Sequence, residues 1–151
     1  MSLQDYIKKR NWKKTPEPKG RVKKRKGNMY VIQQHFARRL HYDLRLEMNG
    51  VLKSWALPKE PIEDPAVRRL AVQTEDHPIS YGSFEGTIPE GQYGAGDVAI
   101  WDKGTYKLDD RNNKKIIFTV KGKKLKGTWC LVCFKPQEKM WLLFKKKENI
   151  K

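Results

Sequence analysis

A chain of 151 residues has room for one domain with a real core, and a formal net charge of +16 points it towards a polyanionic partner. Hydrophobic residues make up 38% and charged residues 33%, the balance of a globular body with long charged margins. No apolar run approaches the roughly 20 residues of a membrane span, and the N-terminus lacks a signal-peptide core, so the cytoplasm is the expected compartment and no membrane partner is expected. The basic surplus is uneven. Residues 1–28 hold 11 Lys/Arg against 2 acids and residues 121–151 hold 10 against 2, while the stretch between holds 12 against 13. Clustered Lys/Arg gain affinity for phosphates by releasing condensed counterions, so nucleic acid is the natural partner of the two ends.

Residues 1–28 read as a basic arm. Leu3–Trp12 predicts a short helix that Thr15-Pro16-Glu17-Pro18-Lys19-Gly20 stops. Arg21–Lys26 is nearly all charge and is expected to take a fixed form only when a partner orders it. The body, residues 29–151, opens with a strand at Met29–Gln33 leading to His35. The stretch His35–Glu47 then organises the rest. Its second half alternates, with His41, Asp43, Arg45 and Glu47 on one side of a strand and Tyr42, Leu44, Leu46 and Met48 on the other. Asn49-Gly50 favours the positive φ angles of a type I′ turn, which predicts a hairpin into Val51–Ala56.

Pro58, Pro61 and Pro65 mark a loop. Arg69–Thr74 reads as a strand, and Pro78 sets His77 at a strand end or on a loop. Residues 82–97 carry Gly82, Gly86, Gly91, Gly94 and Gly96 but no Gly-Lys-Ser/Thr, so they predict a loop walling a site rather than a P-loop. Strands are expected at Asp97–Trp101, Thr105–Leu108, Ile116–Val120, Trp129–Phe134 and Met140–Lys145, with turns at Lys103-Gly104, Arg111–Asn113 and Pro136–Lys139. The fold class is all-β, a barrel or sandwich. Cys130 and Cys133 fall in a strand, where their spacing sends the thiols to opposite faces and reads as structural rather than zinc-binding.

The three histidines, His35, His41 and His77, all lie in the charge-balanced middle. Imidazole and carboxylate are common ligands of Mn²⁺, Fe²⁺ or Zn²⁺, and His41-x-Asp43 aims two of them from one strand face. His35, separated from His41 by five residues, offers a third. Arg45 on the same face suits a bidentate grip on phosphate.

These residues sit in longer motifs: His35-Phe-Ala-Arg-Arg-Leu-His41-Tyr-Asp43-Leu-Arg45-Leu-Glu47, Trp55-Ala-Leu-Pro-Lys59, Arg69-Leu-Ala-Val-Gln-Thr-Glu75-Asp76-His77-Pro78 and Phe84-Glu-Gly-Thr-Ile-Pro-Glu-Gly-Gln-Tyr-Gly-Ala-Gly96. Together with Thr15-Pro-Glu-Pro18, Leu125-Lys-Gly-Thr-Trp129 and Trp141-Leu-Leu-Phe-Lys145, they closely resemble the 3′-phosphoesterase domain of the ligase D DNA-repair proteins. The resemblance implies a compact closed β-barrel with a polar groove and a Mn²⁺-dependent site, other divalent transition metals being possible. It also implies resection of DNA primer-template 3′ ends in non-homologous end joining. A phosphodiesterase step would remove a terminal 3′ ribonucleoside, and a phosphomonoesterase step the remaining 3′-phosphate. By motif position, His35, His41 and Asp43 would bind the metal, and Arg45, His77 and Tyr81 would hold the scissile phosphate. Lys59, Arg69 and Glu75 would support the groove, and Arg10 and Glu17 match further positions that matter in the family. Asn11 stands where an Asp is usual. Since 151 residues leave no space for a polymerase or ligase module, a stand-alone monomer that serves such a partner is the expectation.

Two other classes compete. His41, Asp43 and His77 could form the facial triad of a non-haem Fe(II) oxygenase, with Arg45 or Arg69 holding a co-substrate carboxylate. A non-catalytic basic barrel that recruits or stimulates a ligase could stack bases on Trp12, Trp129 and Trp141.

Overall fold

The computed structural model describes residues 2–23 and 26–147. Among these residues nine antiparallel strands follow one short α-helix: α1 (Leu3–Lys8), β1 (Met29–Phe36), β2 (Leu40–Met48), β3 (Val51–Leu57), β4 (Arg69–His77), β5 (Gly86–Ile88), β6 (Gly96–Asn112), β7 (Lys115–Lys121), β8 (Lys126–Lys135) and β9 (Met140–Lys145). The sheet runs β1-β2-β3-β4-β9-β8-β7-β6-β5, and β1 also pairs with β6. That extra pairing closes eight strands into a barrel and leaves β5 as a flap on β6. Closure removes the open edges on which a sheet of this size would otherwise aggregate.

The β2–β3 hairpin forms as its sequence predicts. Asn49 (φ 53°) and Gly50 (φ 81°) both take positive φ. The turn fixes the register, with Met48 opposite Val51, Arg45 opposite Ser54 and Asp43 opposite Ala56. The apolar row of β2 enters the barrel: Tyr42, Leu44, Leu46 and Met48 pack with Tyr30, Ile32, Trp55, Leu57, Phe118, Trp129, Leu131 and Leu143.

The polar row of β2 does not face water, as simple alternation would have it. Asp43, Arg45 and Glu47 are all buried. A second apolar layer outside the barrel covers them, built from Leu3 and Tyr6 of α1, Val51, Leu52, Ile79 and Tyr81, with Ile7, Trp12, Met29 and Phe84 packed against it. The arm therefore joins the body over residues 2–18. Ser2 and Asp5 cap α1 reciprocally. Tyr6 is fully buried and donates its hydroxyl proton to the Pro18 carbonyl. The reading of Arg21–Lys26 falls in part on residues 24 and 25, which lie outside the described residues.

One turn is corrected. Lys103-Gly104 does not end a strand; β6 continues through it for 17 residues, pairing first with β1 and then with β7. Gly104 sits where the strand passes from one partner to the other, and a Cβ there would run into the Lys121 carbonyl. The glycine serves close approach rather than a turn. Of the two cysteines on β8, Cys130 is buried and Cys133 partly so, and both are free thiols.

Candidate active site

Between the outer face of β1–β4 and the covering layer lies a cavity of about 260 Å³. Its walls include Arg10, Glu17, His35, His41, Asp43, Arg45, Glu75, His77 and Tyr81, so nine of the eleven residues singled out from the sequence meet in one place. The other two, Lys59 and Arg69, are not brought to its lining. Lys59 is exposed just after β3, and Arg69 turns its Nε to the Glu60 carbonyl at 2.8 Å.

His35 and His41 face each other across the β1–β2 hairpin, their ring centroids 4.6 Å apart. With Asp43 they form a cluster whose ligand atoms all lie within 4.8 Å of one another, a group that could hold a metal ion. His77 stands outside that cluster, so the third donor is His35 and not the one a His41–Asp43–His77 triad requires.

The hydrogen bonds behind the rings set their protonation. His35 Nε2 contacts the Gly94 carbonyl at 2.6 Å, and His41 Nδ1 contacts the Arg39 carbonyl at 3.2 Å. A carbonyl only accepts, so those nitrogens carry the ring protons. The opposite nitrogens, His35 Nδ1 and His41 Nε2, then present lone pairs to a single Asp43 oxygen at 3.6 and 3.2 Å. Lone pairs converging on a carboxylate repel unless a ring takes a second proton or a cation sits between them. Burial opposes charging His41, but Asp43 and the Arg39 carbonyl outweigh it and raise its pKa. Burial likewise opposes ionising Asp43, but His35, His41 and Arg45 hold its carboxyl well below the usual range. Two imidazoles oriented from behind by carbonyls, with one ionised carboxylate, form the donor set that a divalent transition metal accepts.

Arg45, beside this cluster, is held on several sides. Its Nε donates to Gln33 Oε1 at 2.6 Å, its NH1 to Ser54 Oγ at 2.8 Å, and its NH2 lies 3.6 Å from Asp43. The guanidinium also faces the Tyr81 ring, 4.8 Å from its centroid. His77 closes β4 with Nδ1 donating to the Glu75 carbonyl at 2.9 Å, which leaves Nε2 as the free lone pair. Its ring packs between Tyr6 and Tyr81, at 4.8 and 4.7 Å. Burial first, then the charges of Arg45 and Arg10, push the His77 pKa well below the ordinary value, so the ring is neutral near pH 7.

The arm supplies the opposite wall. Glu17 accepts from Arg10 Nε at 2.9 Å and from the Tyr81 hydroxyl at 2.6 Å. Burial, and then Glu17 against the opposing Arg45, keep that hydroxyl protonated well above its ordinary pKa. Arg10 also reaches Glu75 at 3.4 Å, and Lys9 meets the other Glu75 oxygen at 3.0 Å. The glycine-rich loop walls the remaining side through Tyr93 and Gly94. Asn11 is exposed and accepts from the Lys13 amide at 3.1 Å, a turn contact that an Asp oxygen would make equally well.

Several contributors were not singled out from the sequence. Gln33 and Ser54 could have been: Gln33 shares a strand face with His35 two residues on, and the Asn49-Gly50 register puts Ser54 opposite Arg45. The Gly94 carbonyl and the Tyr6 ring carry no such signal, because only tertiary packing brings them in.

Comparison with known proteins points to one family. A family model described as the DNA Ligase D 3′-phosphoesterase domain matches residues 33–133. The chain is 49% identical over 158 residues to the multifunctional non-homologous end joining protein LigD of Pseudomonas aeruginosa, covering 97% of this chain and 19% of that protein. It is 45% identical over 160 residues to the protein of the same name from Mycolicibacterium smegmatis, covering 97% of this chain and 21% of the relative. The Mycobacterium bovis relative is 47% identical over 136 residues, covering 86% and 18%. The chain thus spans about a fifth of the length of these relatives. With the matched segment holding the histidine–aspartate cluster, Arg45, His77 and Tyr81 together, the chain belongs to the DNA ligase D 3′-phosphoesterase domain family.

Proposed function

We propose that this protein is a metal-dependent hydrolase of DNA 3′ ends acting in non-homologous end joining. It cleaves a 3′-terminal ribonucleoside by a phosphodiesterase step and then releases the 3′-phosphate by a phosphomonoesterase step. The observation that carries the reading is the convergence of two carbonyl-oriented imidazole lone pairs on Asp43, directly beside the buried Arg45 guanidinium.

His35 Nδ1, His41 Nε2 and an Asp43 oxygen would hold a divalent cation, with Mn²⁺ the metal we assign. Bound there, such a cation supplies Lewis-acid polarisation of a phosphate oxygen. Arg45 orients the phosphate and offsets charge on its equatorial oxygens. Its side chain cannot drift, because Gln33 and Ser54 already fix two edges of the guanidinium. Arg10 adds a second cation at the far wall. His77 enters the reaction neutral. An incoming phosphate offsets the two guanidinium charges that depress its pKa, so Nε2 gains proton affinity as substrate binds. It can then take up a proton from solvent and deliver it to the leaving oxygen as water adds to the phosphorus. The Tyr81 hydroxyl, donated to Glu17, turns to the phosphate only by leaving that acceptor.

The substrates would be primer-template 3′ ends bearing a terminal ribonucleotide or a 3′-phosphate, with an end-joining ligase or polymerase as partner and a monomer as the working form. A Mn²⁺-dependent assay on a labelled primer-template ending in one ribonucleotide reports both steps. The wild-type protein is expected to yield first a 3′-phosphate and then a 3′-hydroxyl. Unchanged product formation by the His41→Ala protein would overturn the assignment.

A further inference from the structure

The β1–β2 hairpin carries the metal cluster on one face and something unexplained on the other. Its three-residue tip, Ala37-Arg38-Arg39, joins Phe36 to Leu40, which pair directly across the two strands. One step further in, His35 pairs with His41. Successive residues alternate faces, so Phe36 and Leu40 stand on the side of the ribbon away from the histidines. They continue the row that fills the barrel, yet Tyr42 is 7% exposed whereas Leu40 is 42% and Phe36 47%. The ribbon therefore projects past its own core by one apolar pair.

Folding gives no reason for that pair to be apolar, since it packs into neither of the two cores. Arg38 and Arg39 beside it are exposed, and neither forms an ion pair among the described residues. Apolar side chains flanked by unpaired cations complement a stacked base with its phosphates. The tip is also tied to the chemistry, because the Arg39 carbonyl is the acceptor that orients His41.

We propose that the hairpin tip is a wedge that parts a DNA 3′ terminus. The terminal nucleotide leaves its template and enters the cavity on the histidine face. The next base pair, still in the duplex, stacks against Phe36 and Leu40 on the opposite face, and Arg38 and Arg39 hold the adjoining phosphates. The energy of unstacking the terminal nucleotide is recovered by covering the newly exposed pair. This inference rests on the 3′-end hydrolase reading and goes beyond it by naming a paired end as the substrate the hairpin must open.

The test compares two primer-templates that differ only in whether the 3′-terminal ribonucleotide is paired or mismatched. Each is treated with wild-type protein and the Phe36→Ala/Leu40→Ala variant in Mn²⁺. With the paired end, the variant is expected to be about tenfold slower, the scale of a lost base-stacking contact. With the mismatched end, already frayed, it should run within about twofold of wild type. Phe36→Tyr with Leu40 intact, which keeps the stacking ring, should restore the paired rate. Arg38→Ala/Arg39→Ala should weaken both substrates alike and lower the salt slope by about two. Equal losses on paired and mismatched ends, or no loss on either, would overturn the wedge. Absence of turnover by the wild-type protein on both ends would instead overturn the hydrolase reading beneath it.

Discussion

Two buried aspartates, Asp43 and Asp102, occupy opposite kinds of surroundings in the same barrel. Asp102, on β6, is saturated with donors. Its Oδ1 accepts from the amides of Lys103, Lys123 and Lys124 at 3.0, 2.8 and 3.0 Å. Its Oδ2 accepts from the Tyr30 hydroxyl and the Leu125 amide at 2.8 and 2.9 Å. Asp43 meets two imidazole lone pairs and a guanidinium at 3.2–3.6 Å, too long or too poorly protonated for good hydrogen bonds. Both carboxyls are held below the ordinary range against their burial, Asp102 by backbone amides and Tyr30, Asp43 by its two histidines and Arg45. The difference separates two uses of a buried charge. A closed donor shell ties the β7–β8 connection to the barrel, whereas an open one leaves capacity for a ligand.

The largest test of this contrast is activity. Asp43→Asn should lower 3′-phosphate release by at least about a hundredfold, the scale seen when a metal centre loses a ligand or its support. Asp102→Asn, compared at matched folded concentration, should stay within about threefold. A severe loss in both would mean that the two carboxylates are not functionally distinct.

Stability should invert the order. Asp102→Asn places an amide N–H₂ against donors and should cost about 3 kcal/mol, or roughly 6–12 °C in melting temperature. Asp43→Asn should shift the melting temperature by less than half as much. Calorimetry on the two variants decides this, and a larger drop for Asp43→Asn would reverse the assignment.

Added Mn²⁺ sharpens the same comparison. At about a hundred times its dissociation constant the metal should raise wild-type stability by about 2.7 kcal/mol. The gain should persist in Asp102→Asn and vanish in Asp43→Asn. A metal shift that survives loss of Asp43 would move the site elsewhere.

The smallest effect is a pH slope. Asp102 has a folded pKa below its ordinary 3.8, so its contribution is fully present above that value and is lost as pH falls towards the folded pKa. Denaturation midpoints taken downward from pH 5 should fall more steeply for wild type than for Asp102→Asn. Parallel curves would show that the carboxylate is not preferentially ionised in the fold.

The parts of this molecule written in local pattern were legible beforehand. The alternation of Tyr42–Met48 and the Asn49-Gly50 turn determine the β2–β3 hairpin, and that register alone puts Ser54 beneath Arg45. The gathering of His35, His41, Asp43, His77 and Tyr81 followed from their motifs. What was not legible is the second layer. A strand with Asp43, Arg45 and Glu47 along one side reads as half-solvated, and nothing local to it says that Tyr6 and Tyr81 will roof that side. Gly104 misleads for a related reason. A glycine between two apolar runs signals a turn unless one knows that another strand's carbonyl lies against it. Arg69 looked like a groove residue, but its guanidinium is turned to a neighbouring loop carbonyl.

The roof also bears on how this protein is handled. A fragment cut at Met29 would keep every strand and all three residues of the histidine–aspartate cluster, and by strand boundaries alone it would look complete. It would nonetheless lack Arg10 and Glu17 and would expose Val51, Leu52, Ile79 and Tyr81 as a sticky patch. The six-residue α1 that holds the missing wall is too short to stand alone as a helix, so supplying it as a separate peptide would have to work through docking rather than preformed shape. The choice of first residue in an expression plasmid is therefore a choice about the active site.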